Sequence, residues 1–510
     1  MSKARTIGKN ISYIALSRCV YMLISFMLFP FIVAHVGKEI YGVYLIVLTV
    51  TDYFGLLDFG MMSALTKYVS EYHGKKDFKG IGHIINASFT FYVIIGVLIS
   101  LMLFLSSKYF IYFFKIDPAN IRVMRDLLIA AALSSLVVWP MGIFRRAIQG
   151  LNMWNLDAAI SIINQILLAI VTFFILIKGF GILQLFIAMQ ILNFTAGAVF
   201  FWFTVKHVNF RIVFPHRNIN TFKFIFNFSI FMFLSSLSAI FLYQIHNIII
   251  GYFVSVSAIS LYAVAFNLQN YFRVINSTLG GPAWIAASEM EGAHDYARQK
   301  QLLFKGTKLM SAVLLPAVLI AIFFAKPFII HWMGESFRES ILPARIIMSL
   351  WLFSGTSELA VGLLSAKGIV RRTFFIILAA GISNLLVSLI FVKSLGIVAL
   401  AAGLAFSMIF VAFPLELALS LKMLKVTFKE YFDKSVKVNL LLYLLVAIFS
   451  TVVLFYLYPS NFIATIFEMA VIYGVSLGFY YFKLLKPAEK EEVKKAIGFD
   501  MKFQRNVKWA

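Results

Sequence analysis

Charge is what this chain has least of. Only 13% of its 510 residues are Asp, Glu, Lys or Arg, and 61% are hydrophobic. A soluble domain carries roughly 25% charged residues, so the shortage excludes an ordinary soluble fold and leaves an integral membrane protein. Cysteine is nearly absent: Cys19 stands alone inside the first apolar run, which excludes an internal disulfide and points to no thiol or metal chemistry. No P-loop occurs, so ATP hydrolysis by the chain itself is excluded. No segment between apolar runs is long enough to fold separately, and membrane enzymes that handle sugar donors need such a segment; catalysis is not expected. The N-terminus also lacks a small-residue cleavage site. Its apolar run extends to about residue 35 and holds Arg18, so it is expected to be retained.

What is present is a series of apolar runs of about 20 residues, the length a helix needs to cross hydrocarbon. They are not the short alternating segments of an outer-membrane barrel. The expected fold is therefore all-α, with spans near 9–35, 40–60, 82–107, 122–147, 153–177, 182–206, 223–250, 257–279, 301–325, 341–366, 373–393, 396–421, 437–458 and 460–483. Prolines at 30, 140, 316 and 414 mark expected kinks. The net charge of +23 lies between the runs, which indicates membrane topology rather than nucleic acid. With the N-terminus inside, the cytoplasmic segments hold 33 of the 45 Lys and Arg and the opposite loops 10; Arg18 and Arg273 lie within spans. That asymmetry favours fourteen spans with both termini in the cytoplasm of a multi-pass inner or plasma membrane protein.

The stretch 40–79 is written twice. At an offset of 218 residues, Asp52-Tyr53-Phe54 recurs as Asn270-Tyr271-Phe272, and Tyr44 recurs as Tyr262. Ser70-Glu71-x-x-Gly74-x-x-Asp77-Phe78 recurs as Ser288-Glu289-x-x-Gly292-x-x-Asp295-Tyr296, without a gap. The reading is an internal duplication. The offset covers six spans, an even number, so the copies face the same way as parallel repeats. The expected organisation is an N-terminal six-helix lobe at 1–217, a C-terminal six-helix lobe at 218–430, two added helices at 431–485, and a basic cytoplasmic tail at 486–510. The tail reads as an amphipathic helix on anionic lipid.

Ionisable residues at membrane depth are costly and face a partner or a water-filled path. Arg18 in span 1 and Arg273 in span 8 both fall in the cytoplasmic third. Tyr262, Gln269, Arg273 and Asn276 keep helical spacing on one face. The alternative for the arginines is snorkelling to headgroups. Asp52 and Asp58 sit at the same depth, while their counterparts, Asn270 and Asn276, are neutral. Two readings of these acids stand side by side: a proton or ion site that couples transport to a gradient, and neutralisation of Arg18 across spans 1 and 2. Gln244 and Asn247 on span 7 are candidates to line a cavity, with His246 turned elsewhere. Glu358 and Glu416 rank lower, since each stands alone.

Gly37-x-x-x-Tyr41-Gly42-x-Tyr44 and Asp58-Phe59-Gly60-x-x-Ser63-Ala64-Leu65-Thr66-Lys67-Tyr68-Val69-Ser70-Glu71 resemble the first-repeat signature of polysaccharide flippases, in the MATE-like multidrug/oligosaccharidyl-lipid/polysaccharide superfamily. The resemblance implies two lobes alternating access around a cationic cavity lined by spans 1, 2, 7 and 8. It implies a monomeric transporter, not an enzyme, that moves an isoprenoid-diphosphate-linked oligosaccharide to the outer leaflet for polysaccharide biosynthesis, alongside other assembly proteins. No cofactor is implied beyond a coupling H+ or Na+. On this reading Arg18, Arg273, Gln269, Asn276, Gln244, Tyr44 and Tyr262 contact diphosphate or glycan, and Asp52, Asp58 and Asn270 couple or gate. Few arginines fall in the cavity compared with peptidoglycan-precursor flippases, which favours a less anionic glycan. The alternatives are a cation-coupled exporter of small amphiphiles on the same fold, a membrane-embedded polysaccharide polymerase, and a scaffold without transport.

Overall fold

A computed structural model describes residues 3–208, 211, 213–214, 237, 240, 242–356, 358–487 and 489–491. All regular structure among them is helical. In hydrocarbon every backbone donor needs a partner within the segment, and a helix supplies it. The longer helices are α1 (Lys3–Val36), α2 (Lys38–Phe54), α3 (Met61–Gly74), α4 (Phe78–Ser106), α5 (Ile121–Gly150), α6 (Trp154–Ile177), α7 (Ile182–Val208), α8 (His246–Phe253), α9 (Val256–Gly292) and α10 (Tyr296–Phe323). They continue as α11 (Ala325–Met333), α12 (Ile341–Ser349), α13 (Glu358–Ala366), α14 (Val370–Leu395), α15 (Ile397–Phe406), α16 (Phe413–Leu424), α17 (Leu440–Tyr456) and α18 (Phe462–Phe479).

Eleven helical segments among the described residues are long and apolar enough to cross a membrane, and twelve if Glu335–Ser354 and Glu358–Ala366, bent by 51°, form one broken span. Of the two other expected spans, 223–250 falls largely outside the described residues, and 257–279 lies within α9, a continuous helix of 37 residues. At 1.5 Å per residue α9 is about 55 Å long, well beyond the hydrocarbon thickness. The boundary expected at 217/218 and the tail from 492 onward also lie outside the described residues. Pro30, Pro140 and Pro316 stand inside helices, whereas Pro414 opens α16 directly after a π-helical segment at Ser407–Ala412.

The duplicated motif folds twice into the same turn. Asp77 and Asp295 cap α4 and α10, accepting from Gly80 N at 2.9 Å and Arg298 N at 3.0 Å. Before them Lys76 and His294 take left-handed φ values of 57° and 54°. Asp77 N donates to Tyr72 O and Asp295 N to Met290 O, each at 2.9 Å. An aspartate at this position satisfies a helix N-terminus that would otherwise lack an acceptor.

The copies differ upstream. In the first, α2 ends in a 3-10 turn at Gly55–Asp58, and Phe59 and Gly60 are left-handed, with φ of 47° and 77°. Asp58 then accepts from Met62 N at 3.1 Å, at the start of α3. In the second copy, the matching Asn276, Ser277 and Thr278 lie inside α9 without interruption.

The chain forms two compact units, residues 1–264 with 377–407, and residues 265–376 with 408–510. In the first, Leu65 and Val69 of α3, Ile81 and Ile85 of α4, and Phe144 and Ile148 of α5 form a close-packed core. In the second, Ala312 and Ile320 of α10 pack on Leu442, Val446 and Ile472 of α17 and α18. A buried Lys308 on α10 reaches both carboxylate oxygens of Glu489, at 2.8 and 2.7 Å, and so anchors the first residues of the tail. Glu489→Gln replaces a charge-assisted pair by at most one weaker hydrogen bond. It is expected to lower stability by about 1–2 kcal/mol, read as an earlier thermal transition of the detergent-solubilised protein.

Candidate functional site

The opening repeat places its polar side chains on α2 and on the break that follows. Asp52 is exposed and Asp58 half-buried. Arg18 on α1 is exposed and makes no ion pair with either acid, so the expected neutralisation across spans 1 and 2 is not formed. The arginine that packing brings alongside α3, the helix that Asp58 caps, is Arg146 of α5. The packing explains this: Met62 lies against Gly142, the Thr66 hydroxyl donates to the Arg146 carbonyl at 3.4 Å, and Val69 lies against Gly150. Those three contacts run α3 alongside α5 in the same direction. An arginine leans toward the N-terminus of its own helix, here toward the level of Asp58.

Sequence reasoning missed this group, because Arg145 and Arg146 read as ordinary basic residues at the end of a span. Arg145 Nε lies 2.6 Å from Oδ1 of the buried Asp157, and its Nη2 donates to Ser161 at 3.0 Å. Gln149 donates to the other Asp157 oxygen at 3.1 Å and accepts from Arg146 Nη1 at 3.1 Å. Of two adjacent arginines, Arg145 is therefore paired with Asp157 across the α5–α6 turn, while Arg146 bonds the Gln149 amide. The available signal was an aspartate so near the start of the next apolar run, twelve residues beyond Arg145.

The tyrosines are placed for packing. Tyr44 is buried against Tyr41 and Phe186, with ring centroids 5.8 and 6.3 Å away, and its hydroxyl points at Met189 Sδ, 3.6 Å away. Tyr262 is buried with its ring 5.2 Å from that of His246. His246 in turn meets Asn384 of α14 at 3.2 Å, and Asn384 also donates to the Leu242 carbonyl at 3.3 Å. Asn247 donates to the Thr49 hydroxyl at 2.8 Å, joining α8 to α2. Gln244 is half-buried, and its amide oxygen has no donor among the described residues.

In the second unit the stripe on α9 keeps its helical spacing, but its members meet different surroundings. Gln269 and Asn276 are each only 2% exposed, Asn270 is half-buried, and Arg273 is exposed. The side-chain oxygens of Gln269, Asn270 and Asn276 lack donors among the described residues. Asn276 Nδ2 donates to Glu358 Oε2 at 3.2 Å, a contact the sequence did not indicate. Glu358 and Glu416, each read as solitary, belong to neighbouring helices, α13 and α16: the Ser420 hydroxyl of α16 donates to the Ala360 carbonyl of α13 at 2.9 Å. Beyond the spans, Lys367 closes on Glu291 at 2.7 Å, and Gln299 donates to the same oxygen at 2.7 Å. Partial burial raises the Glu291 carboxyl, but Lys367 and Gln299 outweigh it and hold the group below its usual value.

Solved structures share this architecture. A lipid II flippase, MurJ, in an inward closed conformation, aligns with a TM-score of 0.71 at 14% identity, over 93% of this chain and 99% of that one. An outward-facing multidrug resistance MATE transporter of the MOP superfamily aligns with a TM-score of 0.60 at 13% identity, over 82% of this chain and 96% of that one. A MOP superfamily transporter from Pyrococcus furiosus, described as having a binding pocket of reverse polarity, gives 0.60 at 14% identity with the same coverage. No curated protein matches the sequence. At such identities the likeness establishes the fold, which is that of the MurJ and MATE transporters. The family model for polysaccharide biosynthesis proteins matches residues 7–285, more than half of the chain, and by that match the chain belongs to the polysaccharide biosynthesis protein family.

Proposed function

We propose that the protein is a flippase that carries an isoprenoid-diphosphate-linked oligosaccharide from the cytoplasmic to the outer leaflet of the cell membrane by alternating access. The observation that carries this reading is membership of a polysaccharide biosynthesis family on a fold shared with a lipid II flippase. The relatives of that fold are transporters, so the reading is of transport without covalent chemistry. The proposed topology has fourteen spans and both ends in the cytoplasm. Labelling of cysteines introduced at Ser70 and Ser288 is expected from the cytoplasmic side for both; opposite sides would overturn the parallel repeats.

The chemical task is to move a diphosphate and many hydroxyls past hydrocarbon. Arginine offers phosphate a permanent charge and a forked set of donors. Arg18 and Arg273 both remain exposed on α1 and α9, which supports a role in receiving the diphosphate. The buried amide Gln269 and the half-buried Gln244 hold unsatisfied oxygens suited to hydroxyl donors. Arg18→Ala and Arg273→Ala are each expected to cut glycan export at least tenfold, about 1.4 kcal/mol of lost phosphate interaction, with unchanged membrane levels. Normal surface glycan in both strains would reject the phosphate role.

Coupling to a proton or sodium gradient is assigned to Asp52 and Asp58, which carry the first copy's extra negative charge. An export rate in Asp52→Asn and Asp58→Asn vesicles that responds to the gradient as the parent does would remove that assignment. The MATE likeness supports a second reading, export of small amphiphilic cations. It requires a cation-binding acidic surface, so uptake of a lipophilic cation that ceases in Asp52→Asn while glycan export continues would favour it.

A further inference from the structure

Glu416 is a carboxyl in an unusual position. It lies on α16 within the apolar segment Ile397–Leu424, is 5% exposed, and has no hydrogen-bond or ion-pair partner among the described residues. A buried, unpaired carboxylate costs several kcal/mol or more, and such groups take up a proton or a cation instead. Its surroundings show which. Ser420, one turn further along α16, is bonded to Ala360. Glu416 is thus one turn from this contact on α16, and Glu358 two residues from it on α13. Glu358 is wedged against Gly280 of α9, where a Cβ would overlap its Cγ, and its carboxylate is held by Asn276 Nδ2.

Asn276 supplies an independent sign. It is 2% exposed and aimed at Glu358 through its nitrogen, while the oxygen of the same carboxamide has no donor among the described residues. An orphan acceptor beside a carboxyl is satisfied when that carboxyl becomes an O–H donor. The basic groups nearby are committed or absent. Helix α10 packs on α16 and brings Lys305 and Lys308, of which Lys308 is closed on Glu489. The short helix Phe428–Tyr431 brings Lys429, Glu430 and Tyr431, and Glu430 is closed on Lys434. Helix α16 itself carries Lys422, nearly two turns toward the cytoplasm. Helix α9 carries Arg273, Glu289 and Glu291, with Glu291 closed on Lys367. The acid on the helix that faces α16 through this contact is Glu358.

We infer that Glu358 and Glu416, with Asn276, form a proton-binding site in the second unit, in which a half-buried and a buried carboxyl share one proton. Two like charges so placed in an apolar setting do not both ionise. The site is separate from Asp52 and Asp58 and carries the C-terminal repeat's only spans with acids, which neither the family nor the fold match assigns. Its proton is bound whether or not glycan is present, so it is testable without any cargo.

The test is infrared spectroscopy of the full-length protein in nanodiscs, titrated across neutral pH in potassium buffer. The carboxylic-acid carbonyl stretch of one buried group is expected to persist at neutral pH and to disappear in Glu416→Gln. In Glu358→Gln the remaining acid is expected to titrate lower by about one pH unit or more, because its like-charged neighbour is gone. Asn276→Ala should shift the band, since it removes the amide that contacts the pair. An identical spectrum in Glu416→Gln and the parent overturns the site, as does an unmoved titration in Glu358→Gln when the first variant does not fold. Loss of the parent band on replacing potassium by sodium also overturns it, in favour of a sodium site. Failure of glycan export with these bands intact would count against the flippase reading alone.

Discussion

Replacing Gly42 with valine is expected to remove folded protein from the membrane. A Cβ at this position would overlap the backbone carbonyl of Val256, at the first residue of α9. The contact sits in a series: the Ser260 hydroxyl donates to the Lys38 carbonyl, Gly42 meets Val256, and Asn247 donates to Thr49. Residue numbers fall on one side as they rise on the other, so α2 is fastened antiparallel to residues 247–260 at three levels. A backbone oxygen cannot swing aside as a side chain does, and the helices must separate or tilt. Overpacking that side chains absorb costs about 1–3 kcal/mol; here the cost is expected to exceed about 3 kcal/mol, a large part of a typical domain's total. The comparison is Gly478→Val on α18, where a Cβ meets nothing within 4 Å. Its cost is expected to stay below about 1 kcal/mol. Equal thermal stability of the two variants would contradict the close approach.

The second large effect is expected from exchanging residues between the copies. Gly60 has φ of 77° and follows a left-handed Phe59, so Gly60→Thr puts a β-branched residue where L side chains are strained. The left-handed region costs roughly 1–2 kcal/mol for an ordinary residue and more for a branched one, so a loss of about 2 kcal/mol or more is expected. The reverse exchange, Thr278→Gly in the unbroken α9, is expected to cost about 0.3 kcal/mol through helix propensity, since threonine is itself a poor helix former. Thermal melts in one detergent decide the matter. If the two exchanges cost the same, the break in the first copy is not a built feature of the fold. The break also holds Asp58 against Met62 N, so Gly60→Thr is expected to blunt gradient dependence along with stability.

These two glycines bear on the signature that tied the chain to polysaccharide flippases. Within it Gly37 is left-handed, Gly42 makes a backbone contact, and Tyr41 and Tyr44 are buried together. The motif was legible as a family mark, and the contacts its residues make within the chain are those of helix packing. A letter string shows that a small residue stands at 42; only the opposing carbonyl shows why.

The sequence by itself determined the class and the repeat. Charge scarcity and runs of about 20 apolar residues force membrane helices, because hydrocarbon offers the backbone no other donors or acceptors. The 218-residue echo located a turn that folds twice with the same cap, since an aspartate before a helix acts locally. Tertiary structure alone decided the partners. Arg146 rather than Arg18 lies alongside the helix that Asp58 caps, because α3 runs beside α5, and Glu358 meets Asn276 of α9 on a helix that also touches α16, the helix of Glu416. Charges far apart in a chain meet through helix packing, and packing depends on side-chain shapes at contacts that periodicity does not encode. The same limit hid the interruption at residues 55–60. An apolar run reads alike whether its helix continues or breaks, and two left-handed residues settle which.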